Sequence, residues 1–265
     1  VKPPTVFLGD MTNLEVEAYL RDHAARPTVL VPVGSTEQHG PHAPLGTDAL
    51  IPTEICRRVA PQAGAVVAPT VNYGLSYPHE GFTGVVYLRM STFMELIEDL
   101  TLQFAHMGFT RICFLNGHYD NTYAIAYACA AVGDRLPAGT RAYPVNYWDA
   151  MTVDEAAEYF DPATGLHANK GETSAVLAIN PDLVDMERAN SEMPPFPEVT
   201  NPSAVHTAFF FSAPGSIKRA TASGTWGDAT QSSAEFGRRY LDVVVRSTAR
   251  LLEDIERTFD AMPDR

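Results

Sequence analysis

Apolar residues along this chain follow two alternating rhythms. Short runs, Thr28-Val-Leu-Val-Pro-Val33 and Arg111-Ile-Cys-Phe-Leu115, have the pattern of buried parallel strands, and Ala65 to Ala68 and Ala142 to Tyr147 read as two further strands. Between them lie segments with apolar residues at helical spacing: Thr12 to Leu20, Asp48 to Ala60, Thr92 to Met107, Asn121 to Val132, Glu172 to Ile179 and Gln231 to Phe259. Thr12 with Glu15, and Thr92 with Glu95, have the spacing of capping boxes, and Gly108 and Pro181 supply stops. Pro52 is tolerable only in the first turn of its helix. The last helix carries one apolar stripe, Phe236, Tyr240, Val244, Leu251 and Ile255. Residues 192–218 lack a period but hold Phe196, Phe209, Phe210 and Phe211, which predicts an ordered excursion instead of a linker.

Repeated strand–helix units predict an α/β fold with a mostly parallel central sheet covered by helices on both faces. No internal repeat and no domain boundary is visible, so residues 1–265 read as a single domain. Ligands of such sheets bind beyond the carboxyl ends of the strands. That rule points to the loops after Val33 and after Leu115.

Both loops are rich in metal-ligating side chains. The first runs from Gly34 to Asp48 and contains Glu37, His39 and His42; the second, Asn116-Gly-His-Tyr-Asp-Asn121, contains His118 and Asp120. Glu37 and His39, like His118 and Asp120, are two apart and project to one side of extended backbone. Asp48 opens a helix, where a carboxylate is favoured by the helix dipole. Mixed carboxylate and imidazole donors suit zinc, manganese or iron better than calcium. Two cations need a bridging carboxylate and terminal ligands, which Glu37, His39, Asp48, His118 and Asp120 can supply. His23, His106 and His206 lie outside any motif and read as ordinary surface or core residues.

Charge and composition narrow the alternatives. A net charge of −13 argues against nucleic acid and against anionic membrane surfaces as partners. No stretch is long and apolar enough for a membrane span, and the first residues lack the apolar run of a signal peptide. Cys56, Cys113 and Cys129 are scattered and odd in number, the pattern of free thiols in a reducing cytoplasm. A cytoplasmic protein acting on a small molecule is expected.

With these motifs in hand, the chain resembles the creatininase (creatinine amidohydrolase) family over nearly its whole length. Gly34 to Asp48 is similar to that family's first metal motif and Asn116 to Asn121 to its second. His79-Glu-Gly-Phe-Thr-Gly84 is similar to its H-x-x-F-P-G segment, with Thr83 in place of Pro. Gly171-Glu-Thr-Ser174 matches its ETS motif, with His167 five residues before the Glu, and Trp226-Gly-Asp-Ala-Thr230 resembles its late G-D segment.

The resemblance implies a three-layer α/β/α sandwich, two divalent metals (Zn and/or Mn, with Fe as a further candidate) and a homo-oligomer, a hexamer in creatininase itself. It implies Glu37 and His118 on one metal, His39 and Asp120 on the other, and Asp48 between them. His167 is implied as the proton carrier, and Tyr119, Trp148, Ser76 and His79 as substrate-pocket residues. Glu172 is open among ligand, outer-shell partner, base and helix cap. Two departures matter: Asp120 is one methylene shorter than the family's Glu, and Ala163 stands where creatininase has a Trp, which argues against creatinine itself.

The expected activity is hydrolysis of a small cyclic amide by a water that the metals activate, with His167 and Glu172 as catalytic candidates. Cleavage of a formamide, or carbon–carbon opening of a carbocyclic keto-inositol, is the alternative within the family. A non-catalytic metal-binding assembly protein is the alternative outside it.

Overall fold

The four strand-like runs pair side by side; Thr28–Val33, Ala65–Val67 and Arg111–Asn116 are buried on both faces and the edge strand Arg141–Asn146 mainly through Tyr143 and Val145. A computed structural model describes residues 2–157, 159 and 165–262. Its strands are β1 (Thr28–Val33), β2 (Ala65–Val67), β3 (Arg111–Asn116), β4 (Arg141–Asn146), β5 (Gly165–His167), β6 (Ser191–Glu192) and β7 (Trp226–Asp228). The helices are α1 (Asn13–Asp22), α2 (Thr47–Ala63), α3 (Met90–Met107), α4 (Thr122–Ala131), α5 (Val153–Ala157), α6 (Lys170–Ile179), α7 (Pro202–Phe210), α8 (Ser216–Ala220) and α9 (Ala234–Ala261).

The central sheet is parallel, in the order β2-β1-β3-β4. Leu30, Cys113 and Leu115 face a core shared with α2 and α9, while Val29, Val31, Ile112 and Phe114 face a core shared with α3 and α4. The result is a three-layer α/β/α sandwich. The chain leaves β1 for β2 through α2 on one face and returns to β3 through α3 on the other. The winding therefore reverses between β1 and β3, which opens a crevice at their carboxyl ends. Register makes those ends level, with Val33 opposite Asn116 and Asn116 opposite Asn146.

Several element boundaries differ from the expectation. Helix α2 runs through both Pro52 and Pro61, and Pro52 lies beyond the first turn. Proline lacks the N–H that would bond the Asp48 carbonyl. That carbonyl instead lies against Gly117, where a Cβ would collide with it and with the Pro52 ring. Helix α3 begins at Met90 with no side-chain cap, so Thr92 lies inside it and the Thr92–Glu95 box does not form. The Thr12–Glu15 box does form on α1, and Gly108 ends α3 at a φ of 112°. Helix α9 starts at Ala234, after Ser233 accepts a hydrogen bond from the Phe236 N–H.

The excursion 192–218 holds α7 and the start of α8. Beside it a second, antiparallel sheet in the order β5-β7-β6 escaped the periodicity, because two- and three-residue strands are too short to show one. Among the described residues, no helix is long and apolar enough to cross a membrane.

Candidate metal centre

The two strand-end loops close around the first turn of α2. A Cβ on Gly34 would collide with Asp48 and Ala49 backbone, just as one on Gly117 would collide with the Asp48 carbonyl. Both loops thus reach the helix only because these positions lack side chains. Asn121 stitches the loops together: its amide donates to the Gly34 carbonyl (3.0 Å) and its oxygen accepts the Leu75 N–H (2.9 Å). Asn116 shapes the second loop, accepting from the His118 N–H (3.1 Å) and donating to Asn146 (2.9 Å).

These struts bring the expected ligands together. Asp48 lies between two imidazoles, with Oδ1 3.1 Å from His39 Nε2 and Oδ2 3.0 Å from His118 Nδ1. His118 Nε2 donates to the Leu75 carbonyl, which leaves Nδ1 directed at Asp48. Glu37 Oε2 is 3.3 Å from His118 Nε2 and its Oε1 is 3.4 Å from His79 Nε2. Ligand atoms of Glu37, Asp48 and His118 lie within 4.8 Å of one another, and so do those of His39, Asp48 and Glu172.

The second triad differs from the implied pairing of His39 with Asp120. Asp120 lies 3.8 Å from His118, while Glu172 Oε1 lies 3.9 Å from His39. Glu172 Oε2 accepts the N–H of Ala168, whose φ of 50° is unusual for a residue with a Cβ. The cap of α6 is Asn169 and not Glu172.

Burial and mutual charge set the ionisation of these groups. Burial pushes Glu37 up to about 8 and raises Glu172. Burial disfavours the charged form of His39, but the Asp48 carboxylate overrides it and lifts the imidazole to about 9. Burial opposes ionisation of Asp48 too, yet His39 and His118 hold it well below the usual range. Both oxygens of Asp120 are buried without a hydrogen-bond partner. Four acids gathered with two imidazoles, both Asp120 oxygens unpartnered, form a donor set that divalent transition metals fit.

The centre floors a cavity of about 730 Å³. His79, Tyr119, Trp148 and His167 line it. Ser76 does not: it is buried, 2.5 Å from the Ser35 hydroxyl, and donates to the Leu75 carbonyl. Ala163 lies outside the described residues. His206, set aside for want of a motif, also lines the cavity, stacked on Phe196 with its ring 5.4 Å from that of Trp226. Phe210 and Tyr147 join the wall; only the folded excursion and the loop after β4 bring them there. His42 packs behind the centre with Nε2 2.8 Å from the Thr173 hydroxyl, and His23 and His106 are exposed.

A family model described as creatininase, creatinine amidohydrolase, matches residues 9–252. The chain belongs to the creatininase family. Creatinine amidohydrolase of Pseudomonas putida is 31% identical over 264 residues, 94% of this chain and 97% of that protein. A mycofactocin precursor peptide peptidase of Mycolicibacterium smegmatis is 40% identical over 61% of this chain and 62% of its own. A 3-dehydro-scyllo-inosose hydrolase of Thermotoga maritima is 28% identical over 98% and 86%. Solved creatininase structures, one of a zinc–zinc form and one of a manganese form, align at TM-scores of 0.80 and 0.79. Both are 29% identical and cover 95% of this chain and 98% of theirs.

Proposed function

We propose that this creatininase-family protein is a dinuclear metal-dependent hydrolase that cleaves a small cyclic amide other than creatinine. The observation that carries the dinuclear reading is the Asp48 carboxylate, one oxygen toward His39 and the other toward His118. Glu37, Asp48 and His118, with Asp120 beside His118, would hold one cation; His39, Asp48 and Glu172 would hold the other. When bound, such a pair supplies Lewis-acid polarisation of a carbonyl and lowers the pKa of a water. The zinc–zinc and manganese forms of solved creatininases support those two metals.

The chain's own groups complete the chemistry. His167 Nε2 donates to the Gln38 carbonyl at 2.7 Å, so Nδ1 carries the lone pair, 3.8 Å from Glu37 Oε1. Burial and the neighbouring His39 push His167 down to about 3, so the ring stands neutral with its Nδ1 lone pair free. It would take the proton released by the attacking water and return it to the leaving nitrogen as the C–N bond breaks. Tyr119 and Trp148, with ring centroids 6.4 Å apart and planes tilted by 36°, offer aromatic faces to a planar ring. Among the described residues, no lysine or arginine lines the cavity, which favours neutral or cationic substrates.

Asp48→Ala tests the reading: activity is lost and at least one metal leaves, by elemental analysis. A fully active, metal-free Asp48→Ala protein contradicts it. Parallel assays on cyclic amides, formamides, keto-inositols and peptides sort the substrate class. Highest kcat/KM on a keto-inositol shifts the assignment to carbon–carbon hydrolysis. The proposal extends to a homo-oligomer, the hexamer of the resemblance; light scattering at a multiple of 28.9 kDa supports it and a monomer mass opposes it.

A further inference from the structure

We propose that Gln38 is a positioning residue that sets the tautomers of two pocket histidines, His79 and His167. This rests on the reading of His167 as the proton carrier. Gln38 lies between the ligands Glu37 and His39, yet it is buried and is not part of the cavity wall, so it acts through other residues.

Counting donors and acceptors around Gln38 leaves one arrangement. Its amide nitrogen has two hydrogens and three neighbours: the Gly224 carbonyl (3.1 Å), His79 Nδ1 (3.0 Å) and His167 Nε2 (3.1 Å). His167 Nε2 also lies 2.7 Å from the backbone carbonyl of Gln38, which can only accept. Nε2 of His167 therefore carries the hydrogen and cannot accept one from the side-chain amide. The two amide hydrogens go to Gly224 and to His79 Nδ1.

The amide cannot turn over. Its oxygen accepts the Gly40 N–H at 2.9 Å, and a reversed amide would set that oxygen against the Gly224 carbonyl. Gly224 holds a φ of 90°, and a Cβ there would occupy the place of the Gln38 oxygen. The consequences reach the centre. His79, accepting at Nδ1, carries its hydrogen on Nε2, which faces Glu37 Oε1 at 3.4 Å. His167, donating at Nε2, keeps a lone pair on Nδ1 toward the same carboxylate. One residue thereby supplies a donor to the ligand Glu37 and a proton acceptor to the pocket, the kind of outer support that orients metal-site chemistry.

The test reads tautomers directly, by long-range proton–nitrogen correlation on zinc-loaded protein labelled with ¹⁵N-histidine. In the wild type, His79 and His167 both show the pattern of a neutral ring protonated at Nε2. In Gln38→Glu the side chain can only accept, so His79 gains a hydrogen at Nδ1 and kcat falls about 10–100-fold with KM little changed. A wild-type His79 protonated at Nδ1 alone overturns the proposal. So does a variant whose tautomers stay unchanged, whatever its activity. If Gln38→Glu does not fold, the wild-type spectrum decides alone. Zinc content, measured on the same samples, separates this outcome from failure of the metal reading: a protein that binds no zinc still reports its tautomers.

Discussion

At Asp48, His39 and His118, three buried ionisable groups touch without any lysine or arginine among the cavity's described walls. Their residue types were legible in the sequence because metal chemistry restricts the choice of donors, and two short loops held them all. Gln38, Asn116 and Asn121 stood in the same loops, but an amide's role depends on which carbonyl faces it, and that is settled only by folding. Ser76 shows the converse, since a family resemblance places a residue near a site but does not aim its side chain. Glycine contributes at this scale through absence. In Gly117→Ala the new Cβ meets the Asp48 carbonyl and the Pro52 ring. A loss of about 1–3 kcal/mol in denaturant unfolding is expected, together with weaker metal binding, since the loop must retreat from α2. Unchanged stability would mean that the loop does not press on the helix.

Among the elements, strands β1 to β4 and the long helices were readable because burial on one or both faces, or on one stripe, leaves a pattern. Helix ends were harder. Thr92 and Glu95 have the right spacing for a cap, but the chain enters α3 two residues earlier. Helix α5 shows a box that does form, Thr152 with Glu155, and Glu155 also pairs with Arg250 of α9 at 2.7 Å. Arg250 first, then the Thr152 N–H, holds the Glu155 carboxyl down at about 2, against an ordinary 4.5. A lowered folded-state value means stability present above 4.5 and lost as pH falls toward 2. The pair is partly exposed, so its contribution is under about 1 kcal/mol. Glu155→Gln is therefore expected to lower the unfolding midpoint slightly at pH 7 and not at pH 2; an equal difference at both values would refute the assignment.

For the whole molecule, a mostly parallel sheet covered on both faces and the family resemblance were both visible in the sequence, and the choice of the loops after β1 and β3 followed from the first. The small sheet of β5, β6 and β7 was not, although it carries His167 to the crevice and pairs it with Trp226. Nor was the approach of α7, which adds His206 and Phe210 to the cavity. Metal is expected to act on the entire fold, since loops from β1 and β3, the start of α2 and the start of α6 all contribute donors. Free metal at a hundredfold its dissociation constant stabilises by about 2.7 kcal/mol per site. Dialysis against a chelator should lower the melting temperature and remove activity together, and zinc or manganese should restore both. A melting temperature indifferent to chelation would show that the fold does not bind metal there.

The most direct test of the account is anomalous diffraction from crystals of zinc-loaded protein, recorded on both sides of the zinc edge. Two peaks about 3.5–4 Å apart are expected, one on each side of the Asp48 carboxylate. A single peak, or none within reach of Asp48, would contradict the dinuclear centre.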